Sequence, residues 1–97
     1  MIIEWSVLAV EDRAGIFDYI EQDNPMAAIA VDERITEQTA RLARFPESGR
    51  PGRVDTTREL VIGHTPFIVV YLIQDDTVRI LRILHSAQSW PDQFPDR

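Results

Sequence analysis

The chain has 97 residues, 44% of them hydrophobic, enough for one domain with a single core. It contains no cysteine, which excludes disulfides and thiolate metal sites, and only two histidines, His64 and His85, which argues against a metal site; no cofactor is implied. A formal net charge of −6 argues against bulk nucleic-acid binding, direct DNA binding included, because phosphate contacts need a positive surface to release counterions.

Ile2 to Ser6 is short and apolar around Trp5, and reads as a first strand that joins a sheet. Ser6 can then cap a helix. Ala9, Ile16, Phe17 and Ile20 fall at i, i+7, i+8 and i+11 and form one helical stripe, with Glu11, Asp12, Asp18 and Glu21 mostly elsewhere. Arg13 breaks the stripe at i+4 from Ala9, so its guanidinium must snorkel out or meet a partner. Asn24-Pro25 closes this helix and opens a second: Asn24 is a good N-cap, and Pro25 suits a first helical position. Ala28, Val31, Ile35, Thr39 and Leu42 carry the second helix to Phe45-Pro46, where the residue before proline leaves the helical region.

Glu47-Ser48-Gly49-Arg50-Pro51-Gly52-Arg53 is turn chemistry and reads as a flexible loop with two exposed arginines. Three β-rich runs follow: Thr57 to Ile62, Phe67 to Ile73 and Val78 to His85. Gly63-His64-Thr65-Pro66 and Gln74-Asp75-Asp76-Thr77 separate them, so they read as an antiparallel meander. Strict alternation in the last run puts Val78, Ile80, Arg82 and Leu84 on one side and Arg79, Leu81, Ile83 and His85 on the other, an inner strand covered on both faces. The tail from Ser86, with Pro91 and Pro95, is expected to be irregular over 86–97. The fold class is α+β in the order strand, helix, helix and three-strand meander, with a helical hairpin on one sheet face. The other face is the place to look for function.

Charge is unevenly spread. Residues 1–40 hold nine acids against Arg13 and Arg34, whereas residues 41–82 hold seven arginines against five acids, so cations gather toward the sheet. All ten basic residues are arginine, the side chain suited to bidentate pairing with carboxylate or phosphate. The longest apolar run, Phe67 to Ile73, is far shorter than the roughly 20 residues of a membrane helix. The start of the chain lacks the basic residues of a signal peptide, so a cytoplasmic location is expected.

The order and spacing of several short motifs resemble the ParE branch of the ParE/RelE toxins of bacterial toxin–antitoxin modules. The motifs are Trp5-Ser6 with Ala9 and Asp12, Ile16 with Tyr19-Ile20, Asn24-Pro25 with Ala27-Ala28, Leu42 with Phe45-Pro46, and Gly49-Arg50-Pro51-Gly52-Arg53. They continue through Thr57-Arg58-Glu59-Leu60, Thr65-Pro66-Phe67-Ile68-Val69-Val70-Tyr71, and Val78 through His85 with Gln88 and Trp90. The resemblance covers nearly the whole chain and implies a growth-inhibiting toxin held inactive by a cognate, ParD-like antitoxin, often as a dimer of toxin–antitoxin pairs. The ParE branch poisons DNA gyrase, whereas the RelE branch cleaves messenger RNA in the ribosome.

RelE-like enzymes are expected to carry an arginine early in the strand that ends in Val-Tyr, and a catalytic residue near the C-terminus. Here that strand is Phe67-Ile68-Val69-Val70-Tyr71, and the lysines of the RNase branch are absent. The expectation is therefore a gyrase-binding toxin without chemistry of its own. His85 and Arg82 are the candidates for catalysis should the RNase alternative hold, since an imidazole pKa near 6.5 suits acid–base work. Arg13, Arg50, Arg53, Arg58, Arg79 and Arg82 are the candidates for contacting antitoxin or target, with Arg58 and Glu59 expected to pair locally. Tyr71 and Trp90 are expected to pack. A third possibility is an inactive homologue that only binds its antitoxin.

Overall fold

Ser6 joins the first strand to the first helix and to the middle of the sheet. In a computed structural model that describes residues 1–94, strand β1 spans Ile2–Trp5 and helix α1 spans Val7–Glu21. The Ser6 hydroxyl accepts from the Ala9 N–H at 3.0 Å, capping α1, and donates to the carbonyl of Leu81 at 2.8 Å. Helix α2 spans Pro25–Ala40, opened by Asn24, whose side chain accepts from the Ala27 N–H with proline at the helix start. The chain then tightens into a 3₁₀ turn over Arg41–Ala43 before Phe45-Pro46. The helical period thus runs to Leu42 as expected, but the last turn is wound differently.

Five strands form one sheet in the order β1-β5-β4-β3-β2, with β2 at Arg50–Pro51, β3 at Arg58–Val61, β4 at Phe67–Gln74 and β5 at Thr77–His85. The meander is antiparallel, and β1 lies parallel beside β5. Strand β2 was not expected. Its two residues pair with Glu59 and Arg58, so the segment read as a flexible loop is the sheet's edge, and Pro51 blunts that edge against further pairing.

The expected alternation along β5 fails at Leu81. Val70 pairs with Arg82 while Tyr71 pairs with Ile80, which leaves Leu81 as an extra residue in a β-bulge. The bulge resets the faces, so that Val78, Ile80 and Ile83 all join the core with Val69 and Tyr71. Strict alternation would have put Ile83 on the opposite side from Val78 and Ile80. The carbonyl of Leu81, the extra residue, accepts from the Ser6 hydroxyl.

The core lies between the helical hairpin and this face, where Ala9, Ile35 and Leu42 meet Ile62, Val69, Tyr71, Val78, Ile80 and Ile83. Trp5, Ile3, Ile16 and Phe67 pack at its margin. Tyr71 reaches through the core to fix the chain ahead of β2: its hydroxyl donates to the Pro46 carbonyl at 2.7 Å and accepts from the Gly49 N–H at 3.0 Å. Burial raises the pKa of that phenol, against the opposing Gly49 hydrogen bond and the nearby Arg58 charge.

The face away from the helices is also covered. Ile68, Val70 and Leu84 are buried there, and Phe94 and Val54 line a shallow cavity with Leu72 and Leu81. No helix or strand forms in residues 86–94, and this irregular segment lies over the sheet. Positions 95–97 of the tail lie outside the described residues.

Candidate functional site

The arginines expected at an interaction surface are held in separate places by partners within the chain, and only Arg50 and Arg53 share one. Arg13 lies on the helical hairpin. Its guanidinium makes two hydrogen bonds to Asp32, at 2.7 and 2.9 Å, and one to the Thr36 hydroxyl at 2.7 Å, and it stands over the Trp5 ring at 5.5 Å. The interruption of the α1 stripe is therefore answered by α2. Hydrogen bonding to Asp32 raises the pKa of Arg13, and the same contact lowers that of Asp32. Around the pair, Trp5, Val10, Ala14, Phe17 and Asp18 line an open groove of about 550 Å³. Val10 and Val7 are more than half exposed, so α1 shows apolar side chains on its outer side as well as its core side.

Arg50 and Arg53 converge on Glu59. The Glu59 side chain is only 3% exposed, while those of the two arginines are 53% and 48% exposed. Arg50 donates to one carboxylate oxygen through Nε at 3.2 Å and Nη2 at 2.9 Å. Arg53 donates to the other through its backbone N–H at 2.8 Å and Nε at 3.2 Å. Burial pushes the Glu59 carboxyl up, but the donors from Arg53 and Arg50 outweigh it and hold its pKa below the usual value. The Trp90 ring then stacks on the Arg53 guanidinium at 3.5 Å, and its Nε1–H donates to the His85 carbonyl at 3.3 Å.

Arg58 does not pair with Glu59. Neighbouring strand residues point to opposite faces, and Arg58 donates instead to the Gly49 carbonyl at 2.8 Å. Arg79 meets Glu4 of β1 at 3.2 Å. Arg82 forks onto Asp12 of α1 at 2.7 and 3.0 Å, and the same carboxylate accepts the Ile83 N–H at 2.9 Å. That hydrogen bonding raises the pKa of Arg82.

Asp12 also closes an open edge. Strand β1 ends opposite Ile80, so the outer edge of β5 beyond it has no strand partner. Ser6 takes the Leu81 carbonyl, Asp12 the Ile83 N–H and Gln88 the His85 N–H, the last at 2.6 Å. His85 sits at the end of this edge with its Nδ1 accepting from the Ala87 N–H at 3.0 Å and its ring set edge-on against Phe67. It borders a cavity of about 340 Å³ shared with Glu11, Asp12, Tyr19 and Gln88. The structure brings His85 near the acidic side of α1, but commits Arg82 to Asp12.

Three carboxylates organise these sites: sequence reading assigned Asp12 and Asp32 no arginine, and gave Glu59 the wrong one, Arg58 in place of Arg50 and Arg53. A signal was present for two of them. Arg82 in an apolar inner strand and Arg13 on a buried stripe each require an opposite charge nearby. For Glu59 the hint was a lone acid within Arg58-Glu59-Leu60-Val61, but its partners became definable only once β2 was paired. Among the described residues, no helix is long and apolar enough to cross a membrane.

The family model of the ParE toxin of the type II toxin–antitoxin system parDE matches residues 3–90. A Sinorhizobium fredii (strain NGR234) protein named "Putative toxin Y4kP" is 45% identical over 89 residues, which cover 92% of each chain. Toxin RelE2 of Caulobacter vibrioides is 37% identical over 86 residues, 89% of this chain and 96% of the relative. Among solved structures, the chromosomal ParDE system from P. aeruginosa superposes with a TM-score of 0.80 at 27% identity, covering 88% of this chain and 95% of that one. A YoeB–YefM complex from Staphylococcus aureus shares the fold, with a TM-score of 0.58 at 18% identity over 88% of this chain and 95% of that one. The motif series, the two-helix cover on a five-strand sheet and these matches agree: the chain belongs to the ParE toxin family of type II toxin–antitoxin systems.

Proposed function

We propose that this toxin stops growth by binding DNA gyrase and not by cleaving RNA, and that an antitoxin neutralises it by covering the helical hairpin. The observation that carries this reading is that acid, base and cation do not converge. Cleavage by 2′-hydroxyl attack needs a proton acceptor, a proton donor and positive charge around one phosphate. Here Arg82 is bound to Asp12, Arg50 and Arg53 to Glu59, and the Nδ1 of His85 to the Ala87 N–H. Trp90 and Phe94 further crowd the sheet face on which such a site would be built.

The groove at Trp5, Val10, Ala14 and Phe17 supports the antitoxin part of the proposal. It is apolar and rimmed by Arg13 and Asp18, the surface on which an amphipathic helix or extended segment lays hydrophobic anchors. The ParDE and YoeB–YefM structures that share this fold are toxin–antitoxin assemblies. A dimer of toxin–antitoxin pairs is the assembly we expect, with any DNA contact made by the antitoxin.

Supercoiling by purified gyrase tests the proposal. Inhibition by the chain, relieved by the antitoxin, is the expected result. Failure to inhibit, from a chain that still arrests growth, refutes it and favours ribosome-dependent mRNA cleavage. The relative named RelE2 and the cavity joining His85 to Tyr19 and Glu11 favour that second reading. Under it His85→Ala abolishes toxicity, whereas under the gyrase reading toxicity survives. A chain that binds its antitoxin but does not arrest growth at all would be an inactive homologue.

A further inference from the structure

The face of the sheet away from the helices carries arginine and tryptophan, ingredients of a platform for single-stranded nucleic acid, yet a buried carboxylate already engages the arginines. Arg50 and Arg53 both reach Glu59 here, and the Arg53 guanidinium stacks on the Trp90 ring. Arginine forks for phosphates and aromatic rings for bases make such platforms in general. Here both carboxylate oxygens of Glu59 are filled by the Nε and Nη2 donors of the two arginines and by the Arg53 N–H. A phosphate arriving from solution meets two half-exposed guanidiniums whose Nε–Nη2 edges already face a buried carboxylate that offsets their charge.

We propose that Glu59 is the specificity-determining residue that keeps this face from binding single-stranded RNA, by holding the Nε–Nη2 edge of both guanidiniums and offsetting their charge. The Trp90 stack is secondary, because it covers the flat face of Arg53 while leaving that side chain's N–H edge to Glu59. The inference concerns the isolated chain and holds whichever target the toxin has.

The test is binding of a short fluorescein-labelled single-stranded RNA, followed by anisotropy at low salt. Glu59→Gln keeps the side chain's shape and removes its charge; it is expected to bind at least about tenfold more tightly than the unaltered protein, with an affinity that falls steeply as salt rises. Adding Arg50→Ala and Arg53→Ala to Glu59→Gln should abolish the gain. Trp90→Ala alone should gain nothing, because Glu59 still holds both arginines. An unchanged affinity in Glu59→Gln, a gain that survives loss of the arginines, or an equal gain in Trp90→Ala would each overturn the proposal. A measurement on the unaltered protein stands independently of how the variants fold. The NMR resonances of the Arg50 and Arg53 Nε–H groups should be unmoved by inorganic phosphate, and their displacement by phosphate would refute the idea.

Discussion

Removing the Asp12 carboxylate should unfasten the open edge of β5, and a double-mutant cycle with Arg82 measures how much of the fold that contact supports. Asp12 accepts two bonds from Arg82 and one from the Ile83 N–H, and the two side chains are 17% and 24% exposed. The pair lies between a surface bridge, worth about 0–1 kcal/mol, and a fully buried one, whose breaking costs about 3–5 kcal/mol. Asp12→Ala strands a backbone donor at the bulge as well as a half-buried guanidinium. Charge-assisted bonds of about 1.5–3 kcal/mol each therefore set the scale, and alanine's better helix propensity returns roughly 0.5 kcal/mol. The net expectation is a loss of about 2–3 kcal/mol, read as a fall of roughly 10–20 °C in Tm for a domain of this size. Arg82→Ala should cost less, about 1–2 kcal/mol, because Asp12 retains the Ile83 N–H and some water. Urea denaturation of both single variants and the double variant should yield a coupling of about 1–2 kcal/mol. A coupling below about 0.5 kcal/mol would refute the reasoning and return the pair to the class of solvated surface bridges.

The pH dependence of stability should carry the mark of Glu59. Its pKa is lower in the folded chain than in the unfolded one, so its contribution is complete above the unfolded value of about 4.3 and fades as pH falls through the folded value. Denaturation of the unaltered protein and Glu59→Gln from neutral pH downward should therefore show a stability gap that narrows in acid; a gap independent of pH would contradict the clamp. Thr39, 1% exposed, has a hydroxyl without a hydrogen-bond partner among the described residues, so Thr39→Val should leave stability unchanged or raise it by about 1 kcal/mol, and a clear loss in urea denaturation would show that the hydroxyl is bonded. Gly49→Ala would place a methyl 2.6 Å from the Tyr71 hydroxyl and 3.0 Å from the Glu59 carbonyl. It should cost about 1–3 kcal/mol by thermal denaturation, and a neutral outcome would mean that the turn ahead of β2 yields easily.

Much of the architecture was legible because it depends on local chemistry. Ser6 and Asn24-Pro25 mark helix starts through their own side chains and ring, and both starts lie where the sequence puts them. The β-branched runs of β3, β4 and β5 are bounded by turns that any chain of this composition would make there. The bulge was not legible. Leu81 sits in an unbroken run of β-forming residues, and what displaces it is the offset between β4 and β5 together with a waiting Ser6 hydroxyl, 75 positions away in sequence.

The candidate sites divide in the same way. Arginine content and position were readable from the chain, and so was the demand for partners at Arg13 and Arg82. Which carboxylate answers each arginine was not, because Asp12 and Arg82 are separated by 70 positions, Arg13 and Asp32 by 19, and several acids on each helix are equally available in sequence. The sequence by itself determined the two helices, the strands β1, β3, β4 and β5, their order and the family pattern, since capping, period and turn chemistry act over a few residues. Only the tertiary structure decided that Arg13, Arg50, Arg53, Arg79 and Arg82 meet carboxylates of the same chain and that residues 86–94 lie over the second face. Those outcomes depend on which distant groups share a desolvated space, and there Coulomb attraction and unsatisfied donors outweigh anything local.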